Sequence, residues 1–303
     1  LRKISEQRRL VETEGVEHAV VRGRIGRWHF ENMPRLQKVL YGMLKMSGTE
    51  GFGRRHAMEV QVVEVEFEFD NLPGAFDGYR VLFLSDFHID GLPELAEIVL
   101  EAAGKVEYDL CVLGGDYSFD HHEECDEAKG LMRQVGGVLA ERSRVVGVMG
   151  NHDRYSMGEV LAECGVEMLL NESVRVERGG EAIWVAGVDD YHYFGAHDFD
   201  MADEGIEEGA FKVMVCHTPE GWREAAKRGY SLFLAGHTHG GQVCLPGGVM
   251  LVRGATVRRG MLRGAWRDGE MAGYTSRGVG VSGIPVRHWC RPEMTVLTMR
   301  RGR

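Results

Sequence analysis

The chain has 303 residues, 44% of them hydrophobic, and a formal net charge of −10. That length and apolar content support one large core or two smaller ones. The acidic balance argues against a general nucleic-acid binder, which would carry a basic excess. No apolar run reaches the length of a membrane span. The six cysteines (Cys111, Cys125, Cys164, Cys216, Cys244, Cys290) lack CxxC spacing. They read as reduced, mostly buried thiols of a cytoplasmic protein.

Residues 1–58 are basic and polar and form an N-terminal extension, with Arg2, Lys3, Arg8, Arg9, Arg22, Arg24, Arg27 and Arg35 concentrating positive charge. Within it Leu36, Val39, Leu40, Met43 and Leu44 recur at helical spacing. This predicts a helix packed on the main domain; the alternative is a basic amphipathic segment at the inner face of a membrane or gripping a lipid tail.

Residues 59–303 read as the main domain. Val60, Val62, Val65, Phe67 and Phe69 interleave with Gln61, Glu64, Glu66 and Glu68, the alternation of a strand with one wet face. The apolar run 80–84 then stops at Ser85-Asp86-Phe87-His88, and a helix is expected over 93–106. The run 110–113 stops at Gly114-Gly115-Asp116, and a helix over about 124–141 leads to 145–149 and Gly150-Asn151-His152-Asp153. Further on, 182–188 stops at Asp189-Asp190, 211–216 at His217-Thr218-Pro219, and 232–235 at Gly236-His237-Thr238-His239. Residues 243–303 read as short strands and turns. Alternating strands and helices imply parallel or mixed sheet, where ligands bind beyond the carboxyl ends of strands.

Collected, the strand-end groups are Asp86, His88, Asp116, Asn151, His152, His217, His237 and His239. A single Asp after a strand is an ordinary turn former, and a single His an ordinary core or surface residue. The whole set at successive strand ends reads as a metal site built from nitrogen and oxygen donors, suited to Mn²⁺, Fe or Zn²⁺. His237 and His239, two apart on extended backbone, are expected to point into one cavity.

Asp86-Phe-His88, Gly-Gly-Asp116, Gly-Asn151-His152-Asp153, His217-Thr-Pro and Gly-His237-Thr-His239 match, in order, the five ligand blocks of the calcineurin-like metallophosphoesterase superfamily, which the chain resembles over about residues 79–303. The tail 276–293 looks like the bacterial branch that includes the YkuE and YaeI types. The resemblance implies an α/β fold: a four-layer αββα sandwich of two mixed β-sheets flanked by helices. It assigns Asp86, His88 and His239 to one metal ion, Asn151, His217 and His237 to a second, and Asp116 to both. Two divalent ions less two carboxylates and a hydroxide leave a net positive site for a phosphate ester.

The implied reaction is in-line attack of metal-activated hydroxide on phosphorus in a phosphodiester or pyrophosphate. His152 contacts phosphate or protonates the leaving oxygen, and Asp153 orients it. The branch also contains a UDP-2,3-diacylglucosamine pyrophosphatase, so a lipid-linked nucleotide, with peripheral membrane contact, is the leading substrate expectation. The better-known enzyme for that step carries Arg where this chain has His152. Phe87, Tyr117 and Phe119 are expected as apolar groups near the substrate, and Arg154, His121, His122, His192 and Arg287 as substrate contacts. A metal-dependent nuclease or broad phosphodiesterase and a non-catalytic scaffold are the competing readings.

Overall fold

A computed structural model describes residues 6–14, 34–119 and 124–302. Three helices come first: α1 (Glu6–Glu14), α2 (Pro34–Met46) and α3 (Glu50–Met58). The first half of the core follows as β1 (Gln61–Phe69), β2 (Tyr79–Leu84), α4 (Leu95–Gly104), β3 (Leu110–Leu113), α5 (Asp126–Arg142), β4 (Arg144–Gly147), α6 (Tyr155–Glu163) and β5 (Glu167–Met168). Next are β6 (Glu172–Arg178), β7 (Glu181–Gly187), α7 (Phe199–Ala202), β8 (Lys212–Val215), α8 (Trp222–Lys227) and β9 (Leu232–Ala235). A short hairpin of β10 (Cys244–Leu245) and β11 (Val249–Met250) precedes β12 (Gly264–Asp268), β13 (Met271–Thr275) and β14 (Glu293–Arg301).

The strands form two six-stranded sheets, ordered β1-β14-β2-β3-β4-β5 and β12-β13-β9-β8-β7-β6. Both are mixed: β2, β3, β4 and β5 run parallel while β14 is antiparallel to β2, and β7, β8, β9 and β13 run parallel between antiparallel edges.

The period of two along each strand builds the layers. Val81, Phe83 and Val112 turn inward and meet Val185, Val213, Val215 and Leu234 of the other sheet in a shared core. Their neighbours Leu82, Leu84, Cys111 and Val145 turn outward and are covered by α4, α5 and α6 through Val99, Met132, Leu139 and Leu161. On the opposite outer face Met214, Phe233 and Ala235 are covered by Trp222 and Ala225 of α8 together with Phe199 of α7. The result is the expected αββα stack.

Three local expectations change. Along β1 the exposed residues are Val62, Glu64, Glu66 and Glu68, and the inward face is Gln61, Val63, Val65, Phe67 and Phe69; Val62 therefore sits on the wet face. The tail holds a nine-residue strand, β14, between β1 and β2. It is buried on both faces over most of its length, so it lacks the alternation that announces a half-buried strand. Helix α6 and strand β6 lie outside the predicted elements.

The N-terminal helices lie against the core. Ala57 of α3 is buried with Leu92, Leu95 and Val281, and Val11 of α1 with Phe194 and Ala196. Helix α2 does not bury its expected apolar stripe: Leu40 and Leu44 are half-buried, but Val39 is 58% and Met43 55% exposed. Among the described residues no helix is long and apolar enough to cross a membrane. The six cysteines are free thiols.

Candidate metal centre

The loops that leave the carboxyl ends of β2, β3, β4, β8 and β9 meet at one end of the sandwich. They are tied by their backbones: Asp86 N donates to Gly115 O at 2.9 Å, His88 N to Asp116 O at 3.0 Å and Gly236 N to His217 O at 2.8 Å. Asp86, His88, Asp116, His237 and His239 all adopt positive φ, between 39° and 70°. They make up five of the eight non-glycine residues that do so among those described. A left-handed backbone at Asp or His is uncommon, and its concentration here marks a site where strain is held by its surroundings.

The convergence of His237 and His239 thus has a different origin from the one expected. Strand β9 ends at Ala235, and the two histidines lie on left-handed turns at φ 70° and 49°, not on extended backbone. Their rings accordingly go to different neighbours. Asp86, His88 and His239 form one group of converging donor atoms, Asp116, His217 and His237 a second, and His88, Asp116 and His152 a third.

Distances within the cluster are those of atoms arranged around a cation. Two donors about 2.1 Å from one ion stand about 3.0–3.4 Å apart at octahedral to tetrahedral angles. His88 Nε2 lies 3.1 Å from His239 Nε2, His217 Nε2 3.2 Å from Asn151 Oδ1 and 3.1 Å from Asp116 Oδ2. Asp116 Oδ2 is also 3.5 Å from His88 Nε2, which places this oxygen between the two sets. Asp86 Oδ2 is buried and has no hydrogen-bond partner among the described residues. A buried carboxylate oxygen left in that state is costly unless a cation satisfies it.

The far sides of the rings are fixed as metal-binding imidazoles need, with a carbonyl receiving the second N–H. His88 Nδ1 pairs with Ser118 O at 2.8 Å and His217 Nδ1 with Gly114 O at 2.7 Å. Both carboxylates have one oxygen held by a backbone N–H, Asp86 Oδ1 by His237 N at 2.8 Å and Asp116 Oδ1 by His152 N at 2.9 Å. Close backbone approach makes this possible. A Cβ on Gly150 would lie 2.1 Å from Asp116 Oδ1, and one on Gly236 2.3 Å from Asp86 Oδ2.

Electrostatics point the same way. Burial pushes Asp86 up to about 7, with Asp116 adding to it. Burial works on Asp116 too but is outweighed by His217, His152 and His88, which hold it well below the usual carboxylate range. Burial likewise works against charge on His217, and Asp116 and Asp86 outweigh it and raise the imidazole. Burial and the neighbouring His152 drive His88 down to about 3. The carboxylates thus recruit a proton where a cation would sit. The donor set and its geometry fit divalent ions.

Asp153 has a different task from the one expected. Its Oδ2 accepts from Asp116 N at 2.8 Å and Gly150 N at 2.7 Å, and its Oδ1 from Tyr117 N at 2.7 Å. It bolts the β3 and β4 loops together. His152 Nδ1 pairs instead with the carbonyl of Phe119, at 2.8 Å.

Arg287 is also corrected. It is fully buried, and its guanidinium donates to the carbonyls of Arg277, Gly278, Gly280 and His239 and lies 3.2 Å from His239 Nδ1. It braces the His239 loop and does not face a substrate. Phe87 and Tyr117 are buried in the helix-side core, so of the three expected apolar contacts only Phe119 is partly open.

His192 does reach the site. Its ring centroid is 4.7 Å from that of His237 and its Nδ1 pairs with Glu220 at 3.0 Å. Arg154 is half-buried with its guanidinium 3.3 Å from Glu12 O. His121 and His122 lie outside the described residues.

The sequence motifs did not point to Arg8, Glu12 or Glu220. Arg8 is one of many arginines in a polar stretch, and nothing local marks it as buried.

The family model described as "Calcineurin-like phosphoesterase" matches residues 79–255, more than half of the chain. The chain belongs to the calcineurin-like phosphoesterases. It is therefore a metal-dependent phosphoester hydrolase. Its relatives in this family include the uncharacterized metallophosphoesterase YkoQ of Bacillus subtilis, 28% identical over 250 residues that cover 80% of this chain and 91% of YkoQ. YkuE of the same organism is 25% identical over 86% of this chain and 92% of its own. The phosphodiesterase YaeI of Escherichia coli is 29% identical over 73% of this chain and 82% of its own.

Proposed function

We propose that this calcineurin-like phosphoesterase uses two metal ions to hydrolyse a phosphodiester or pyrophosphate by in-line displacement at phosphorus. The observation that carries the reading is the convergence of two donor groups about Asp116, on backbone held left-handed at five of their residues. Asp86, His88 and His239 would hold one ion, Asn151, His217 and His237 the other, and Asp116 both. Bound divalent ions supply Lewis-acid chemistry, lowering the pKa of water and neutralising charge on the phosphoryl oxygens.

The remaining work falls to this chain's side chains. A water oxygen forms the new bond to phosphorus as the opposite P–O bond breaks. His152 gives the leaving oxygen its proton. Its Nδ1 is turned to Phe119 O, so the other ring nitrogen serves as the acid. His192, held by Glu220, contacts the phosphoryl group from the His237 side.

For the substrate, a lipid-linked nucleotide such as UDP-2,3-diacylglucosamine is the reading we favour over nucleic acid. The net charge of −10 disfavours a nucleic-acid substrate, and the relative YaeI is named a phosphodiesterase. Protein reconstituted with Mn²⁺ should release UMP from UDP-2,3-diacylglucosamine and cleave bis-p-nitrophenyl phosphate. Turnover of single-stranded DNA alone would replace this substrate with nucleic acid, and no turnover of any ester would remove the reading.

A further inference from the structure

Large exposed apolar side chains are unevenly placed on this protein. Of the ten among the described residues, Val39, Met43 and Met46 lie on α2, Leu245 and Val249 on the β10–β11 hairpin, Leu251 just beyond it, and Trp289 beside its turn. Met46 is 90% exposed. Five of the ten lie on one helix and one hairpin and two more flank the hairpin, and such clustering marks an interaction surface.

A cavity of about 80 Å³ opens between these elements, walled by Leu40 of α2, by Val243, Leu251 and Val252 from the hairpin and its flanks, and by Gln242 and His239. A single water needs only about 10–15 Å³ measured in this way. The cavity is thus roomy and largely apolar, and His239 is its boundary with the metal centre.

Charge around the patch is mostly positive. Residues 34–46 and 239–267 contain no Asp or Glu, in a chain whose net charge is −10. Lys38, Lys45, Arg253, Arg258 and Arg259 are exposed there. Lys45 faces Glu50 at 3.8 Å and Arg258 pairs with Asp268; Lys38, Arg253 and Arg259 form no ion pair among the described residues. Apolar side chains ringed by unneutralised cations complement an anionic lipid surface, whose acyl boundary takes the former and whose headgroups take the latter.

We infer that α2 and the β10–β11 hairpin form a docking face for an anionic lipid bilayer. On that face the apolar cavity is walled by His239, which sets the docking face next to the metal centre. The binding itself does not depend on the proposed chemistry.

The test is co-sedimentation of the full chain with vesicles of pure phosphatidylcholine and of phosphatidylcholine with phosphatidylglycerol at 3:1. Binding should need phosphatidylglycerol and fall steeply in high salt. Met46→Asp with Leu245→Asp, and separately Lys38→Glu with Arg253→Glu and Arg259→Glu, should each cut it about tenfold or more. Both sets are at the surface and should leave turnover of bis-p-nitrophenyl phosphate unchanged. Asp116→Asn should bind vesicles like the unaltered protein, so loss of activity and loss of docking are read separately. Equal sedimentation with and without vesicles would overturn the inference. So would a dimer in solution that Met46→Asp dissociates while vesicle binding is absent, which would make the face a protein interface.

Discussion

Arg8 and Asp189 are 181 residues apart in the chain and 2.6 Å apart in the fold. The guanidinium is fully buried, donates through Nε to both oxygens of Asp189, lies 4.0 Å over the ring of Phe194, and donates to Asp153 O at 2.6 Å. Burial works against its charge and Asp189 outweighs that, so Arg8 stays a cation. Four residues on, Glu12 accepts from Tyr155 N at 2.9 Å, at the first turn of α6. Helix α1 therefore holds the chain just after Asn151 and His152, at Asp153 and Tyr155.

Arg8→Ala should cost about 3–5 kcal/mol of stability, because it leaves Asp189 charged and buried without its partner. Denaturant unfolding reads the loss, and kcat measured well below the unfolding midpoint should fall with it. Arg8→Lys, which keeps the charge but not the forked geometry, should recover part of both. Unchanged unfolding in Arg8→Ala would mean that α1 does not clamp the loop.

Gly236→Ala should lose metal affinity and about 1–3 kcal/mol of stability, since its Cβ would lie 2.0 Å from Ser85 Oγ and 2.3 Å from Asp86 Oδ2. The control is Gly130→Ala in α5, where nothing lies within 4 Å. There the gain in helix propensity should stabilise the protein by about 0.5–1 kcal/mol. Thermal melts with and without added Mn²⁺ distinguish the two, and a Gly236→Ala protein that binds metal normally would contradict the packing account.

His152→Ala should keep its metal and lose about 10²–10⁴ in kcat on esters with poor leaving groups. The loss should shrink on p-nitrophenyl esters, whose leaving group needs no proton. Asp153→Asn should behave differently: an amide cannot accept with both heads from Asp116, Tyr117 and Gly150, so metal content and stability fall together. Equal losses across leaving groups for His152→Ala would remove it as the acid.

His237→Ala and His239→Ala should each reduce metal content from two ions per chain to about one, measured by elemental analysis after Mn²⁺ loading. Loss of both ions in either variant would mean that the two histidines share one ion.

The alternation of strands and helices in a parallel or mixed sheet was legible because apolar runs of strand length recur between helices, each ending in chemistry-bearing residues; the αββα layering was implied only by the resemblance of those motifs to a known family. The identity of the clustered side chains was legible too, as every motif lies directly after a strand. What escaped were contacts between residues far apart in sequence. Arg8 shows no local sign that its partner is Asp189, and Arg287 reads like any tail arginine until its carbonyl partners are seen. Strand β14 escaped because burial on both faces erases the alternation that β1 displays. The left-handed turns at His237 and His239 were hidden for a simpler reason: histidine spacing states neither φ nor ring direction.

The most direct test of the account pairs metal content with turnover in one protein and its Asp116→Asn variant. Loaded with Mn²⁺ and freed of excess, the unaltered chain should hold two ions and cleave bis-p-nitrophenyl phosphate. Asp116→Asn, which removes the carboxylate placed between both donor groups, should hold at most one ion and lose nearly all turnover. Two ions and full turnover in Asp116→Asn would contradict it.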